Sequence, residues 1–324
     1  MKSEVYAPSD WVVCKAAELF YVAGKSHRQI AAELHVSEST VSRLFKRARD
    51  EHIVQFVIQE PYLGCLTLGT TLQKKYGLSD VVVVPQPEDD GHGNHGELVK
   101  QMVAREGSRY LQRIIKPTDV LGIAWGGTMY YLINYLNPCQ RSANMFVTLH
   151  GSLSCCDYEL DVRNLVHRMS MALGSSHASI LPEGLQESRA KVAALKVEEK
   201  KTFSLFERVT ISLSGIGSFY PEATSPLSRL RYLKPEEFEL LRKQGVYCDL
   251  MLRFLNEKGE ECDTEIKHRT LAIDLEMYKR IPCKIIVVSG SYKAHALKAA
   301  LQGGMCDVLI TDHELARAVL AVGQ

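Results

Sequence analysis

KIIVVSGSYKAHALKAALQGGMCDVLITDHELARAVL, residues 284–320, holds two nearly all-apolar runs, 284–290 and 307–312, on either side of a helical segment at 293–304. A run that stays apolar without alternating suits a strand buried on both faces, and the helix between two such runs is the crossover that parallel strands need. The same texture recurs upstream in VVVVP (81–85), DVLGIAW (119–125), NMFVTL (144–149) and RVTISL (208–213), with helical segments such as GGTMYYLINYL (126–136) between them. Six such runs predict an α/β body built on a parallel sheet, occupying residues 59–324. EKGEE (257–261) predicts a hairpin turn. There is no repeat of fixed period and no low-complexity tract.

The first 58 residues have a different texture and predict an all-helical head. Trp11, Val12, Cys14, Ala16, Leu19, Phe20 and Val22 recur at roughly helical spacing, and Gly24 is placed to stop that helix. Ser26 with Gln29 three residues on forms a capping box for a second helix. After a break at His35 and Val36, Ser37 caps a third helix, SESTVSRLFKRARDEH. IVQFVI, residues 53–58, is β-branched and aromatic and predicts a strand.

Composition bounds the function classes. A chain of 324 residues suggests two domains at ~150 residues each. Hydrophobic residues at 46% and charged residues at 24% are globular proportions. No apolar run reaches the ~18 residues of a membrane span, so no membrane partner is expected. MKSEVYAPSDWVV carries acidic residues early and no long apolar run, so no secretory leader is expected either. Nine cysteines with no C-x-x-C pair fit a reduced, cytoplasmic protein without a zinc ribbon. The adjacent Cys155 and Cys156 read as small buried hydrophobes. The net charge is +1, so affinity for nucleic acid must come from a local patch.

The head supplies that patch. Residues 25–53 have helix-turn-helix spacing, with Ala31, Ala32 and Leu34 packing the first helix, Val36 in the turn, and Val41 and Leu44 burying the second. Ser37, Ser39, Thr40, Ser42, Arg43, Lys46 and Arg47 remain for the outer face of the second helix. Short hydroxyls at the front of a helix can meet base edges in a major groove, Arg43 can reach a guanine, and Lys46, Arg47 and Arg49 suit phosphates. Six basic residues against two acidic ones between positions 25 and 49 make this segment locally basic. A plain three-helix bundle with a solvated charged face is the bland alternative.

In the body, three turns place glycine and polar residues where a strand hands over to a helix: WGGT (125–128), SGIGS (214–218) and SGSYK (289–293). Open α/β sheets bind ligands at such strand ends. Gly126 and Gly127 let backbone N–H groups approach an anion, Thr128 adds a hydroxyl, and Lys293 brings a cation suited to phosphate or carboxylate. GIGSFY has Tyr220 where a dinucleotide fingerprint needs glycine, and no Walker lysine pattern occurs. HGNH (92–95), preceded by Asp89 and Asp90, reads as a solvated linker rather than a metal loop. No cofactor and no metal are expected.

On these residues the whole chain resembles the SorC family of bacterial sugar-responsive transcription regulators, the deoxyribonucleoside-regulator-like group. QIAAELHVSESTVSRLFKRARDEHIV resembles its helix-turn-helix, VLGIAWGGTM the opening of its effector domain, and GIGS with VVSGSYKAHALKAALQGGMCDVLITDHELARAVL its later signatures. The resemblance implies a Rossmann-like effector domain related to sugar-phosphate isomerases and deaminases, assembly into tetramers, and a free or phosphorylated sugar as effector. It places Gly126, Gly127 and Thr128 on the phosphate-contacting turn, Asp249 on the acidic sugar-contacting position, and Lys293 on the pocket lysine. The chain departs from the family pattern at Ser291, at Glu183 and Gly184, and at His150 and Ser152, where glycine or Ala-Pro is common. Glu183 would either repel a phosphate or bond to sugar hydroxyls.

Two function classes follow. One is a regulator, repressor or activator, of a carbohydrate uptake or catabolism operon, binding double-stranded operator DNA under control of a sugar or sugar phosphate. The other is a sugar-phosphate isomerase- or deaminase-like enzyme with an accessory helical head. Such an enzyme needs a placed acid/base pair, and Asp249 with Lys293 has no second obvious partner. The regulator is the preferred reading, with no catalytic residue assigned.

Overall fold

The computed structural model describes residues 8–87, 93–137, 145–153, 157–175, 177–225, 227 and 232–322. Chain contacts divide the protein into two compact units that meet in sequence at Gln59 and Glu60.

In the first unit, α1 (Asp10–Ala17) runs into a wider π turn, Glu18–Val22, and Gly24 ends it at φ +67°. α2 (His27–Glu33) starts at the expected capping box: the Gln29 N–H donates to Ser26 Oγ at 3.4 Å and the Ser26 N–H to Gln29 Oε1 at 2.9 Å. α3 (Glu38–Asp50) is capped by Ser37, whose Oγ accepts from the Thr40 N–H at 3.2 Å. Val13, Ala16, Leu19, Ile30, Val41, Leu44, Phe45 and Ala48 form the small core.

Three expectations for this unit need correction. Trp11, Cys14 and Val22 face outward, and Val13 takes the inward place. Trp11 lies half a turn of helix from Val13, and the π turn moves Val22 off the apolar stripe. Ala32 is exposed, whereas Ala31 is buried with Ile30 in the core that α2 shares with α3. Residues 53–58 form no strand, and Phe56, Val57 and Ile58 are exposed. β-branched composition suits a pleated surface, but a strand needs a neighbour to hydrogen-bond, and none lies beside this segment among the described residues.

The second unit begins with α4 (Tyr62–Tyr76) and alternates strands with helices: β1 (Asp80–Val84), α5 (His95–Ile114), β2 (Val120–Ile123), α6 (Gly127–Asn134), β3 (Met145–Thr148), α7 (Val162–Leu173) and β4 (His177–Ser179). Next come β5 (Ile211–Ser214), the short strands β6 (Gly217–Ser218), β7 (Cys248–Leu250) and β8 (Arg253–Leu255), then β9 (Cys283–Val288) and β10 (Val308–Asp312). Seven strands make one parallel sheet in the order β1-β10-β9-β5-β2-β3-β4. All six expected runs are in it. Their side chains alternate between two cores: Ile285 and Val287 join one, Ile286 and Val288 the other. That two-sided burial is why these strands read as unbroken apolar runs.

β2 continues outward through β3 to β4, whereas β5 returns to the opposite side of β2 and leads on to β9 and β10. The chain thus reverses direction between β2 and β5, and the carboxyl ends of these two strands frame a crevice. β6, β7 and β8 form a separate antiparallel sheet. The expected turn at EKGEE closes between Leu255 and Glu261, which bridge antiparallel, with Gly259 at φ +78°. β7 turns into β8 through Met251 and Leu252 at φ +56° and +63°, a left-handed pair that normally calls for asparagine or glycine.

Candidate functional site

A cavity of about 420 Å³ occupies the crevice at the ends of β2 and β5. The three glycine-bearing turns converge on it: Trp125 to Thr128 after β2, Gly215 to Gly217 after β5, and Tyr292 with Lys293 after β9. Asp249 and Met251 of the small sheet, Lys100 of α5, Leu160 and Thr224 complete the wall. All five effector-site residues expected from sequence therefore line one cavity.

The turn after β2 works differently from the sequence reading in one respect. Gly126 adopts φ +115°, where a side chain is strained, and its N–H is directed to the Leu160 carbonyl at 3.3 Å. The Trp125 N–H donates to His150 Nε2 at 3.0 Å. At the start of α6 the amides of Gly127, Thr128 and Met129 have no acceptor among the described residues, and the first two belong to residues that line the cavity. Gly126 shapes the turn, and its successors present the N–H groups. His150 is fully buried behind this turn and donates from Nδ1 to the Gly151 carbonyl at 2.7 Å. Burial pushes its pKa down to about 4, so the ring is neutral and accepts the Trp125 N–H.

Lys293 ends the short 3₁₀ turn Ser291–Lys293. It forms no ion pair among the described residues, and burial, followed by the nearby Lys100, pushes its pKa down to about 8 against the opposing pull of Asp312. Lys100 pairs with Glu97 at 2.6 Å. Asp249 is 3% exposed, and burial pushes its carboxyl up to about 7, opposed by the Leu252 N–H that donates to Oδ1 at 3.0 Å. Asp249 thereby also fastens the left-handed turn that brings Met251 to the cavity. Thr224 Oγ1 is buried without a hydrogen-bond partner among the described residues. The cavity thus offers donors and cations suited to an anion, together with an acidic group and a free hydroxyl suited to a polyol.

Lys100, Leu160, Thr224 and Met251 escaped the sequence reading, because each stands in a helix or loop without a motif. Glu183 is not among the residues that line the cavity, and its backbone bridges to Ser152. His95 begins α5 and lies 3.1 Å from Gln86 Oε1, whereas Asp89, Asp90 and His92 lie outside the described residues, as do Cys155 and Cys156. No group of three or more metal-ligating side chains occurs among the described residues.

On the head, Ser39, Ser42, Arg43 and Lys46 stand exposed on α3. Ser37 Oγ lies 2.8 Å from Ser39 Oγ and 2.9 Å from Thr40 Oγ1 within the cap, and Ser42 Oγ donates to the Glu38 carbonyl at 3.2 Å. Arg47, expected to suit a phosphate, is engaged within the head. It bonds Asp10 at 2.6 Å, Glu51 at 2.6 Å and the Pro8 carbonyl, tying the start of α1 to α3. Two carboxylates already meet its guanidinium, so it serves as an internal strap.

Residues 60–321 match the family model of the sugar-binding domain, and residues 18–51 match sigma-70 region 4. The sugar-binding model alone covers most of the chain. The protein belongs to the SorC family of sugar-responsive transcription regulators. The chain is 31% identical to the deoxyribonucleoside regulator of Bacillus subtilis (strain 168), over 94% of its own length and 96% of that protein's. It is 26% identical to the sorbitol operon regulator of Klebsiella pneumoniae, over 95% and 97%. The crystal structure of that full-length regulator, SorC, superposes with a TM-score of 0.72 at 25% identity, covering 97% of this chain and 100% of the other. These relatives are regulators by name. This SorC-family chain is a DNA-binding regulator with a sugar-binding domain, and the enzyme reading falls away. No helix among the described residues is long and apolar enough to cross a membrane.

Proposed function

We propose that this SorC-family protein binds operator DNA through α3 and tunes that binding with an anionic sugar, such as a sugar phosphate, held in the cavity between β2 and β5. Lys293 carries the reading: a cation without an ion-pair partner among the described residues, lining a cavity that also holds the free amides of Gly127 and Thr128. The anionic end of the ligand meets Lys293, Lys100 and these amides. Asp249 and Thr224 receive its hydroxyls. Residues 1–58 serve as the DNA-binding domain, and residues 59–324 as the effector and oligomerisation domain. The protein acts in the cytoplasm on a carbohydrate uptake or catabolism operon. One head of this size buries too little DNA for tight specific binding, so a dimer or tetramer presents several.

A thermal-shift screen of sugars against their phosphates, repeated with DNA from upstream of its own gene, tests the pairing of ligand and operator. Stabilisation by phosphorylated sugars, with a changed operator affinity, supports it. Stabilisation by neutral sugars alone removes the anion from the proposal.

The head makes its own prediction. Arg43→Ala weakens the specific site by about 1–3 kcal/mol and relaxes discrimination at one base pair. Lys46→Ala weakens all sequences alike and lowers the salt slope by about 0.9. Arg47→Ala leaves the salt slope in place and lowers the melting temperature of the head, since its partners are Asp10 and Glu51. Titrations of labelled DNA at several salt concentrations separate the three. An Arg47→Ala slope as shallow as that of Lys46→Ala would make Arg47 a phosphate contact after all.

A further inference from the structure

Lys100 and Lys293 reach the cavity from separate elements, α5 and the turn after β9. One buried carboxylate ties both elements together. Asp312, the last residue of β10 and the N-cap of the helix His313–Ala321, has no exposed surface. Its Oδ2 accepts the Gly290 N–H at 2.8 Å, and Gly290, at φ +99°, opens the turn that delivers Lys293. Its Oδ1 accepts the Leu315 N–H at 2.9 Å and Gln86 Nε2 at 3.0 Å. Gln86 Oε1 in turn lies 3.1 Å from Nε2 of His95, the first residue of the helix that bears Lys100. Asp312 has no cation in ion-pair contact among the described residues. A buried carboxylate bonded by N–H groups but not neutralised keeps its negative field for the nearest cation.

We propose that Asp312 is the positioning residue of the cavity's cationic wall, holding the Gly290 turn directly and the start of α5 through Gln86 and His95, so that Lys293 and Lys100 meet an anion as a preorganised pair. This rests on the reading of the cavity as an anion site. Preorganised charges spend none of the binding free energy on ordering. The groups that act on Lys293 are Lys100 from α5 and Asp312 from β10, with Tyr292 beside it in its own turn and Asp249 in the same cavity wall. Asp312 opposes the downward shift that burial imposes on Lys293. Removing its charge therefore lowers the pH at which Lys293 loses its proton.

The test uses the full-length chain and inorganic sulfate, whose charge is constant between pH 6 and 9, with Trp125 in the cavity wall as the fluorescent reporter. Asp312→Asn keeps an acceptor for capping and is expected to weaken sulfate about tenfold at pH 7 and to move the alkaline midpoint of binding downward. Gln86→Met, which spares the Asp312 charge, is expected to weaken sulfate severalfold when Lys100 is present and not in a Lys100→Ala background. A merely structural role moves neither the midpoint nor this non-additivity. Unchanged affinity and midpoint in a folded Asp312→Asn variant overturn the proposal, as does full additivity of Gln86→Met with Lys100→Ala. Absence of sulfate binding by the parent chain overturns the anion-site reading, and this inference with it.

Discussion

Replacing Lys293 by methionine is expected to cut affinity for the sugar phosphate selected by screening, and for sulfate, by about 10- to 150-fold. Methionine retains the length and apolar stem and removes only the charge. A hydrogen bond to a charged group contributes ~1.5–3 kcal/mol, which converts to that range. The same residue sets the pH dependence. Its folded pKa is about 8, below the usual lysine value, and a bound anion favours the ammonium form. Below about pH 8 the charge is present and affinity is full. As pH rises through that value, binding must take up a proton, and affinity falls by up to tenfold per unit. The methionine variant loses this alkaline limb, while operator binding without effector stays within about twofold. Calorimetric titration between pH 6.5 and 9.5 checks both statements. An intact alkaline limb in the variant would assign the titration to another group and remove Lys293 from the site.

Gly151→Ala is expected to be the most damaging small substitution behind the cavity. A Cβ at position 151 would lie 2.4 Å from the Pro182 carbonyl oxygen and 2.6 Å from both Cα and N of Gly184. These backbone atoms cannot yield, because the crossing is stitched on both sides. The Gly151 N–H donates to the Leu271 carbonyl at 2.8 Å, the Ser152 N–H to the Pro182 carbonyl at 2.8 Å, and the Gly184 N–H to the Ser152 carbonyl at 2.7 Å. Overpacking against fixed backbone costs ~2–4 kcal/mol, a fall on the order of 5–15 °C in the melting temperature of a unit this size. Gly127→Ala is the control, since nothing lies within 4 Å of its added Cβ. It should melt within a degree or two of the parent. Calorimetry on the two variants decides the matter: equal melting temperatures would mean that the Gly151–Gly184 crossing is looser than described.

What could be read from the sequence was what neighbouring residues decide among themselves. The six expected strands are legible because covering both faces of a sheet leaves no polar position in IIVV (285–288) or VVVV (81–84). The capping box of Ser26 and Gln29 is legible because both partners lie within one helical turn. The glycines of WGGT and SGSYK announce tight strand-to-helix turns, whereas SGIGS, expected to do the same, leads from β5 into the short strand β6; all three gather at one edge of the parallel sheet.

The tertiary structure decided whatever depends on a partner far along the chain. IVQFVI has the composition of a strand and forms none, because pairing is a property of two segments. Arg47 looked free on α3 until Asp10, 37 residues earlier, came to meet it. β4, with His, Ala and Ser, and the two-residue β6 carry no periodic signal, and only neighbours make them strands. Lys100 enters the cavity because α5 packs beside α6 over the sheet. Asp312 reaches Gln86 across 226 residues because β1 and β10 lie in register side by side. Local turns and caps are settled by short-range sterics and hydrogen bonds that the sequence displays, whereas charge pairing and the cavity wall arise only when the sheet order brings distant strand ends together.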